Sequence, residues 1–99
     1  GRRGTVENGV HPSAAVAGVV EGSAIGGGAQ IEQGALVTGS VVLSGAVIQR
    51  GAVVRSAIVG PRARIGAGAV VEDGSVIGDD VVIGPDERIT GRRIPEEAA

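Results

Sequence analysis

His11 is the only histidine in this sequence of 99 residues, and the sequence has no cysteine. Acid–base and metal chemistry often depends on these two residue types, and a site that needs several imidazoles cannot be assembled from one such chain. Symmetric subunits could in principle each contribute one imidazole. A polar residue in a turn is the simpler interpretation of His11, because it precedes the repeats that dominate the chain.

Five carboxylates in the second half of the chain are the other candidates for acid–base or metal chemistry. A pair of them would have to converge in a cleft to share a proton or to bind a cation. We expect solvated side chains at or near the corners of a convex structure, where they do not converge. The five are Glu72, Asp73, Asp79, Asp80 and Asp86.

Two further patterns are candidates for anion binding. The glycines at 26–28 resemble turns whose amides cradle phosphate, but no Gly-Lys-Ser/Thr follows them and no helix is predicted to begin there. Four arginines form the only basic concentration, yet we expect Asp80 to lie beside Arg62 and Glu72 beside Arg55. The four are Arg50, Arg55, Arg62 and Arg64. We therefore predict no catalytic, cofactor-binding or metal-binding residue in this chain.

Aliphatic residues recur every six positions along most of the chain, which is the spacing of hexapeptide rungs in a parallel β-helix. The residue two positions before each aliphatic is small or β-branched. Side chains two apart on a strand share a face, so both positions are predicted to point inward. One register contains Val19, Ile25, Ile31, Val37 and Leu43, and a second contains Val59, Ile65, Val71, Ile77 and Ile83.

Two rungs of five residues join these registers, from Leu43 to Ile48 and from Val54 to Val59. Three rungs make a coil, so the sequence predicts an all-β fold, a single-stranded parallel β-helix of about four triangular coils. Most predicted corners hold glycine or aspartate, which tolerate a left-handed backbone. These corners are Gly22, Gly28, Gly34, Gly51, Gly68, Gly74, Asp80 and Asp86, with Ser40 and Arg62 as exceptions.

The residue just before each inward aliphatic is predicted to point outward. On two of the three faces these residues form uninterrupted aliphatic rows, whereas a solvated strand would place polar residues there. We therefore predict that at least one face is buried against another chain or domain. The candidate interface residues are Leu36, Val53 and Val70 on one face and Val42, Ile58 and Val76 on another.

Composition limits the partners and the location. A formal net charge of −2 gives no reason to expect nucleic acid or an acidic membrane as a partner, and no apolar run is long enough to span a bilayer. Methionine is absent, which indicates a fragment of something longer. We assign residues 1–9 to an N-terminal linker or tag remnant, 10–90 to the β-helix and 91–99 to a polar tail, and we expect a cytoplasmic location.

Three segments, SVVLSGAVI at 40–48, GAVVRSAIVG at 51–60 and GSVIGDDVVIG at 74–84, resemble the β-helix tail of sugar-1-phosphate nucleotidyltransferases. Bacterial mannose-1-phosphate guanylyltransferases and glucose-1-phosphate adenylyltransferases are the nearest in pattern. The resemblance implies a left-handed helix and a C-terminal domain that assembles subunits, docks to an N-terminal catalytic domain or transmits effector signals. The family's catalytic loop, Gly-Gly-x-Gly-Thr-Arg-Leu, does not occur here, so the resemblance implies no catalytic residue and no cofactor in this chain.

Other hexapeptide proteins remain as alternatives. An acyltransferase of this class would need a catalytic histidine beside an acyl-CoA groove, usually with a loop protruding from the helix, and no rung here contains a long insertion. A γ-class carbonic anhydrase would need three zinc-binding histidines, which a single histidine per chain cannot supply. A purely structural repeat module is the third alternative.

Overall fold

The computed structural model describes residues 9–96, and this range contains 15 short β-strands and no helix. Within it, therefore, no helix is long and apolar enough to cross a membrane. The residues predicted as an N-terminal linker lie almost entirely outside the described range. The strands form three parallel sheets of five strands each.

The three sheets are the faces of a prism. Face 1 contains β1 (Ala15–Val16), β4 (Gln30–Ile31), β7 (Val47–Ile48), β10 (Arg64–Ile65) and β13 (Val82–Ile83). Face 2 contains β2 (Val19–Glu21), β5 (Leu36–Thr38), β8 (Val53–Arg55), β11 (Val70–Glu72) and β14 (Arg88–Thr90). Face 3 contains β3 (Ala24–Ile25), β6 (Val41–Val42), β9 (Ile58–Val59), β12 (Val76–Ile77) and β15 (Arg93–Ile94).

Consecutive strands lie on consecutive faces, so every coil contributes one strand to each face. This architecture is the left-handed parallel β-helix, and it confirms the predicted fold class. There are five coils rather than about four, because the terminal coils depart from the repeat. In the last coil, exposed Glu87 and Arg92 replace the small inward residue, and β15 extends the helix into the segment predicted as a tail.

A single apolar core runs along the axis of the prism. The inward aliphatics of successive coils stack directly, as Val37, Val54 and Val71 do on face 2. Alanines two positions earlier, such as Ala35, Ala52 and Ala69, fill the space beside the corners and are also buried. Small residues are needed here because each coil packs within one strand spacing, about 4.8 Å, of the next.

The predicted register is wrong at two places. Val42, not Leu43, points inward: Val42 is 0% exposed and Leu43 is 38% exposed. In the same way Val20 pairs with Val37 in the inward column, while Val19 is 52% exposed. Adjacent aliphatics satisfy either register in the sequence, and only the ladder, which stacks Val42 on Val59, decides between them.

Because Val42 rather than Leu43 points inward, the short rung predicted from Leu43 to Ile48 runs instead from Val37 to Val42. It turns the corner between faces 2 and 3, which we call corner 2–3. The rungs from Val20 to Ile25, from Val37 to Val42 and from Val54 to Val59 all turn this corner, and the last of them is the one predicted. Coil 4 is different, because it carries an extra residue, Asp73, at this corner. Here Val71 pairs with Ile89, 18 positions later, instead of the 17 that separate Val54 from Val71.

All eight predicted glycine and aspartate corners have a positive φ. Of the two predicted exceptions, Arg62 turns its corner with a φ of 61° despite its side chain, and Ser40 is not a corner residue because Gly39, with a φ of 54°, takes that position. Ser56 makes the equivalent turn in the next coil with a φ of 48°. An L-residue pays about 1–2 kcal/mol for this conformation.

Candidate functional site

The two predicted ion pairs form between side chains that are stacked one coil apart. Nε of Arg62 donates to Oδ1 of Asp80 at 2.9 Å, and this hydrogen bond, together with the aspartate charge, raises the pKa of Arg62. Glu72 lies 3.6 Å from Arg55 and 3.7 Å from Arg88, and it accepts a hydrogen bond from Thr90. The acids therefore neutralise arginines, and a solvent-exposed pair such as Arg62–Asp80 contributes little to stability.

The basic concentration in the sequence is not a patch on the molecule. Arg50 and Arg62 lie at two different corners, Arg55 ends β8 on face 2, and Arg64 lies on face 1. Among residues 9–96 no group of three or more histidines, aspartates or glutamates is placed to hold a metal ion. The geometry thus gives no anion site and no cation site in the described part of the chain.

His11 and the glycines at 26–28 meet at one corner, where they make a structural turn. Nδ1 of His11 accepts from the amide of Ser13 at 3.0 Å, and the Ser13 hydroxyl accepts from the amide of Gly28 at 3.0 Å. The Gly28 amide, which a phosphate site would need, already donates to a side chain. Both features therefore serve the fold of the first coils.

A ladder of serines, which the periodicity of the sequence does not reveal, lies beneath corner 2–3. In six-residue rungs, the amide of the small inward residue donates to a carbonyl three residues earlier, as Ala52 does to Gln49. A five-residue corner is too short for that bond. The amide of Ser40 donates instead to the Ser23 hydroxyl at 3.0 Å, and the amide of Ala57 donates to the Ser40 hydroxyl at 3.1 Å.

The extra residue of coil 4 fits this scheme. The position beneath Ser75 holds Ala57, which has no hydroxyl to accept a bond. With Asp73 added, the rung reaches six residues, and the amide of Ser75 bonds within its own turn, to Glu72. Corner 2–3 of the last coil is short again, and there the Ser75 hydroxyl accepts a hydrogen bond from the amide of Arg92 at 3.1 Å.

The candidate interface residues lie in outward rows on faces 2 and 3, with one correction. Val42 belongs to the core, and Val41 takes its place, paired with Ile58 in the next coil. The face-3 row is therefore Val41, Ile58 and Val76, and the face-2 row is Leu36, Val53 and Val70. Val41 is 37% exposed and Ile58 is 43% exposed, so the face-3 row has accessible apolar area.

A shallow groove of about 300 Å³ runs beside the face-3 row at corner 2–3. The groove is open at this corner because the short corners of coils 2 and 3 hold Gly39 and Ser56, which fill little space there. Val41 and Ile58 form one wall, and Gly74 of the longer coil-4 corner closes the upper end. The lining of the groove is mixed, because the side chains of Val41, Ala57 and Ile58 are apolar and Gly39, Ser56, Gly74 and Ser75 complete it.

Fold and outer faces together define a hexapeptide-repeat β-helix protein with two apolar outer rows. A sequence model of the GMPPB C-terminal domain matches residues 6–96. The chain therefore belongs to the GMPPB C-terminal domain family, a C-terminal domain of sugar nucleotidyltransferases, as the resemblance predicted. No individual curated protein matches the chain.

Among solved structures, the chain is similar to the GDP-perosamine N-acetyltransferase of Caulobacter crescentus, a mutant of which was solved in complex with CoA and GDP-perosamine. The two share 26% sequence identity with a TM-score of 0.68. The match covers 89% of this chain and 51% of that one, so this chain spans about half the length of the acyltransferase.

Proposed function

We propose that this chain is the non-catalytic C-terminal assembly or regulatory domain of a sugar-1-phosphate nucleotidyltransferase. The parent reaction would join a sugar-1-phosphate to a nucleoside triphosphate and release pyrophosphate. Family membership supports the parent class. The apolar face-3 and face-2 rows are the observation that supports the assembly role, because a soluble monomer seldom exposes contiguous apolar rows.

In this proposal the chain has two kinds of partner, a second copy and an N-terminal catalytic domain. The chain brings no cofactor of its own. Charged side chains near the rows, such as exposed Arg55 and partly buried Glu72, are already paired with one another and would form the polar rim of such an interface.

An acyltransferase is the second candidate, because the neighbour of known structure is one and shares this fold. Within one chain, however, His11 and the groove lie at different corners of face 3. His11 sits at the turn beside Gly27, whereas the groove lies at the corner of Gly39 and Ser56. For this candidate to hold, His11 would have to act in a site completed by another subunit.

Sedimentation velocity of the chain tests the assembly role with two double variants. Ile58→Glu with Val76→Glu places charge in the face-3 row, and Val53→Glu with Val70→Glu does so in the face-2 row. We expect the wild-type chain to self-associate and at least one double variant to sediment as a monomer. The core is untouched in both, so circular dichroism should show a folded chain.

Val82→Glu is the matched control, because Val82 is a face-1 residue that is 67% exposed and lies in neither row. Its sedimentation should equal that of the wild type. An activity assay separates the two candidates: the chain alone should release no pyrophosphate from nucleoside triphosphate and transfer no acetyl group from acetyl-CoA. Acetyl transfer that His11→Ala abolishes would favour the acyltransferase instead.

A further inference from the structure

The two ends of the prism differ in how their hydrogen-bond ladders finish. Inside the helix, the amide after each inward aliphatic of face 1 donates to the next coil, as Gly66 does to the Ile83 carbonyl at 2.8 Å. In the last coil the equivalent Gly84 amide donates to Oε1 of Glu87 at 2.9 Å instead. On face 3 the equivalent position is Pro95, which has no amide hydrogen to donate. The C-terminal end is therefore partly closed to a further strand.

The N-terminal end keeps open edges on faces 1 and 2. β1 and β2 are the first strands of these faces, and their amides donate to the next coil, as those of Ala15 and Val19 do at 2.9 Å. Successive residues of a parallel strand direct their backbone groups to opposite sides. The N–H and C=O groups of Val16 and Val20 therefore point away from the helix, to a side where the described part of the chain has no strand.

Apolar side chains are exposed at the same end. Val16 is 38% exposed although it pairs with Ile31 in the inward column of face 1, and Ile31 is 1% exposed. Val20 is only partly buried, whereas Val37, its partner in the next coil, is 0% exposed. A further β-strand would satisfy the open ladder and cover these side chains together.

On face 3 the chain itself already supplies such a pairing. Val10 bridges Ile25 in parallel and is 8% exposed. The Ile25 amide donates to the Gly9 carbonyl at 3.1 Å, and the Ile25 carbonyl accepts from the His11 amide at 2.9 Å. Consecutive strands lie on consecutive faces, so the chain that precedes Gly9 approaches from the side of face 2, where the open edge of β2 lies.

The sequence just before this point repeats the pattern of β2. Thr5, Val6 and Glu7 are a β-branched residue, a valine and a glutamate, which is the order of Val19–Glu21 in β2. The same order occurs in β11 of face 2, Val70–Glu72. The GMPPB C-terminal domain model begins at residue 6, so the family's domain includes part of this segment. The pattern favours a face-2 strand over the linker predicted from composition.

The spacing also matches the edge of β2. With Val6 inward on face 2, the next inward residue, Val10 on face 3, follows after four residues. A rung of four residues already occurs in the first coil, from Val16 to Val20, as the pairing partners of these two valines show. Gly9 has a φ of 74°, which supplies a turn between Val6 and Val10.

We propose that residues 5–7 bind the open edge of β2 as a parallel strand, with Val6 stacked on Val20. The Val20 amide donates to the Thr5 carbonyl, and the Val20 carbonyl accepts from the Glu7 amide, which repeats the pairing on face 3. In the proposed parent enzyme this strand ties a preceding catalytic domain to face 2. That consequence rests on the proposed function, whereas the strand itself does not.

Hydrogen exchange of the Val20 amide in the full chain, measured by NMR, tests the strand. A paired amide exchanges only when its strand opens, so pairing slows exchange. Val6→Asp places a charge against the inward column. Thr5→Asp is the matched control, because it places the same charge one residue away, on the outward side of the strand. The amide of Val54, a core residue that is 0% exposed, reports whether a variant loosens the whole helix.

We expect the Val20 amide to exchange about tenfold or more slowly in the wild type and in Thr5→Asp than in Val6→Asp, with equal exchange of the Val54 amide in all three. An unprotected Val20 amide in the wild type, or protection that Val6→Asp leaves unchanged, would overturn the inference. Protection that rises with protein concentration would assign the edge to a second copy and overturn it as well. The sedimentation test of the proposed function changes residues of the outer rows, so the two can fail separately.

Discussion

Ser40→Ala tests the rule that a short corner depends on a serine in the coil before it. The Ser40 hydroxyl donates to the Thr38 carbonyl at 2.8 Å and accepts from the amide of Ala57 at 3.1 Å. Alanine keeps the small volume that the position requires but removes the acceptor. The amide of Ala57 then has no partner within its own turn, because the five-residue corner is too short to provide one.

The cost follows from the burial of that amide. Ala57 is 4% exposed, so water does not replace the lost acceptor. A buried donor left unsatisfied costs about 1–3 kcal/mol, and we expect about 2 kcal/mol for Ser40→Ala. For a domain of this size such a loss lowers Tm by roughly 8–16 °C. Ser44→Ala is the control, because Ser44 is exposed at a neighbouring corner and should change the free energy of unfolding by less than about 0.5 kcal/mol.

Deleting Asp73 extends the test to a double-mutant cycle. The deletion makes the coil-4 corner short, so the amide of Ser75 loses its bond to Glu72 and faces Ala57, which has no acceptor. We expect a loss of about 1–3 kcal/mol. Ala57→Ser alone should change little, but in the deletion variant it supplies the missing hydroxyl and should recover most of the loss.

Urea unfolding followed by circular dichroism measures all four members of this cycle. The rule predicts a coupling energy of about 1–2 kcal/mol between the deletion and Ala57→Ser. Additivity within about 0.5 kcal/mol would refute the reasoning, since independent sites add to that accuracy. An unchanged Tm for Ser40→Ala would refute it as well.

Three further predictions concern the corners and the register. Gly68→Val should lower the free energy of unfolding by at least about 1 kcal/mol, because Gly68 has a φ of 74° and its Cβ would meet the Asp86 carboxylate; an unchanged Tm would contradict the corner assignment. Arg62→Gly should be about 1 kcal/mol more stable than Arg62→Ala in urea unfolding, since both lose the ion pair but only glycine relieves the left-handed turn; equal stabilities would contradict this. Val42→Ala should cost about 2 kcal/mol and Leu43→Ala less than about 0.5, and the reverse order would restore the register predicted from sequence.

The periodicity of the sequence was sufficient to predict a parallel β-helix, and the resemblance to the nucleotidyltransferase tails supplied its left-handedness. A position such as Ile65, which lies between Arg64 and Gly66, leaves one assignment of inward and outward residues, and glycine or aspartate marks most of the corners. The periodicity failed where aliphatics are adjacent, as in Val41-Val42-Leu43, because side-chain type no longer distinguishes the two faces of the strand. There the register depends on the length of the preceding corner, and a five-residue corner marked by Gly39 was available as a signal.

The outward rows of the candidate site were predicted from the same periodicity, but the groove was not. Ile58, Val53 and Val70 lie in the predicted outward rows, whereas the groove depends on how corners of unequal length stack, which a linear pattern does not contain. The outward position of Leu43 could not be predicted while Leu43 was assigned to the core. The stacked ion pairs were predictable, because Arg62 and Asp80 are one coil apart in sequence.

We propose above that the outer faces of this chain assemble copies of it. Sedimentation equilibrium of the wild-type chain, over concentrations from low micromolar to the highest soluble value, tests this most directly. We expect a reversible increase in average mass that is lost in Ile58→Glu with Val76→Glu or in Val53→Glu with Val70→Glu. A monomer mass at every concentration, identical in the wild type and both double variants, would contradict it.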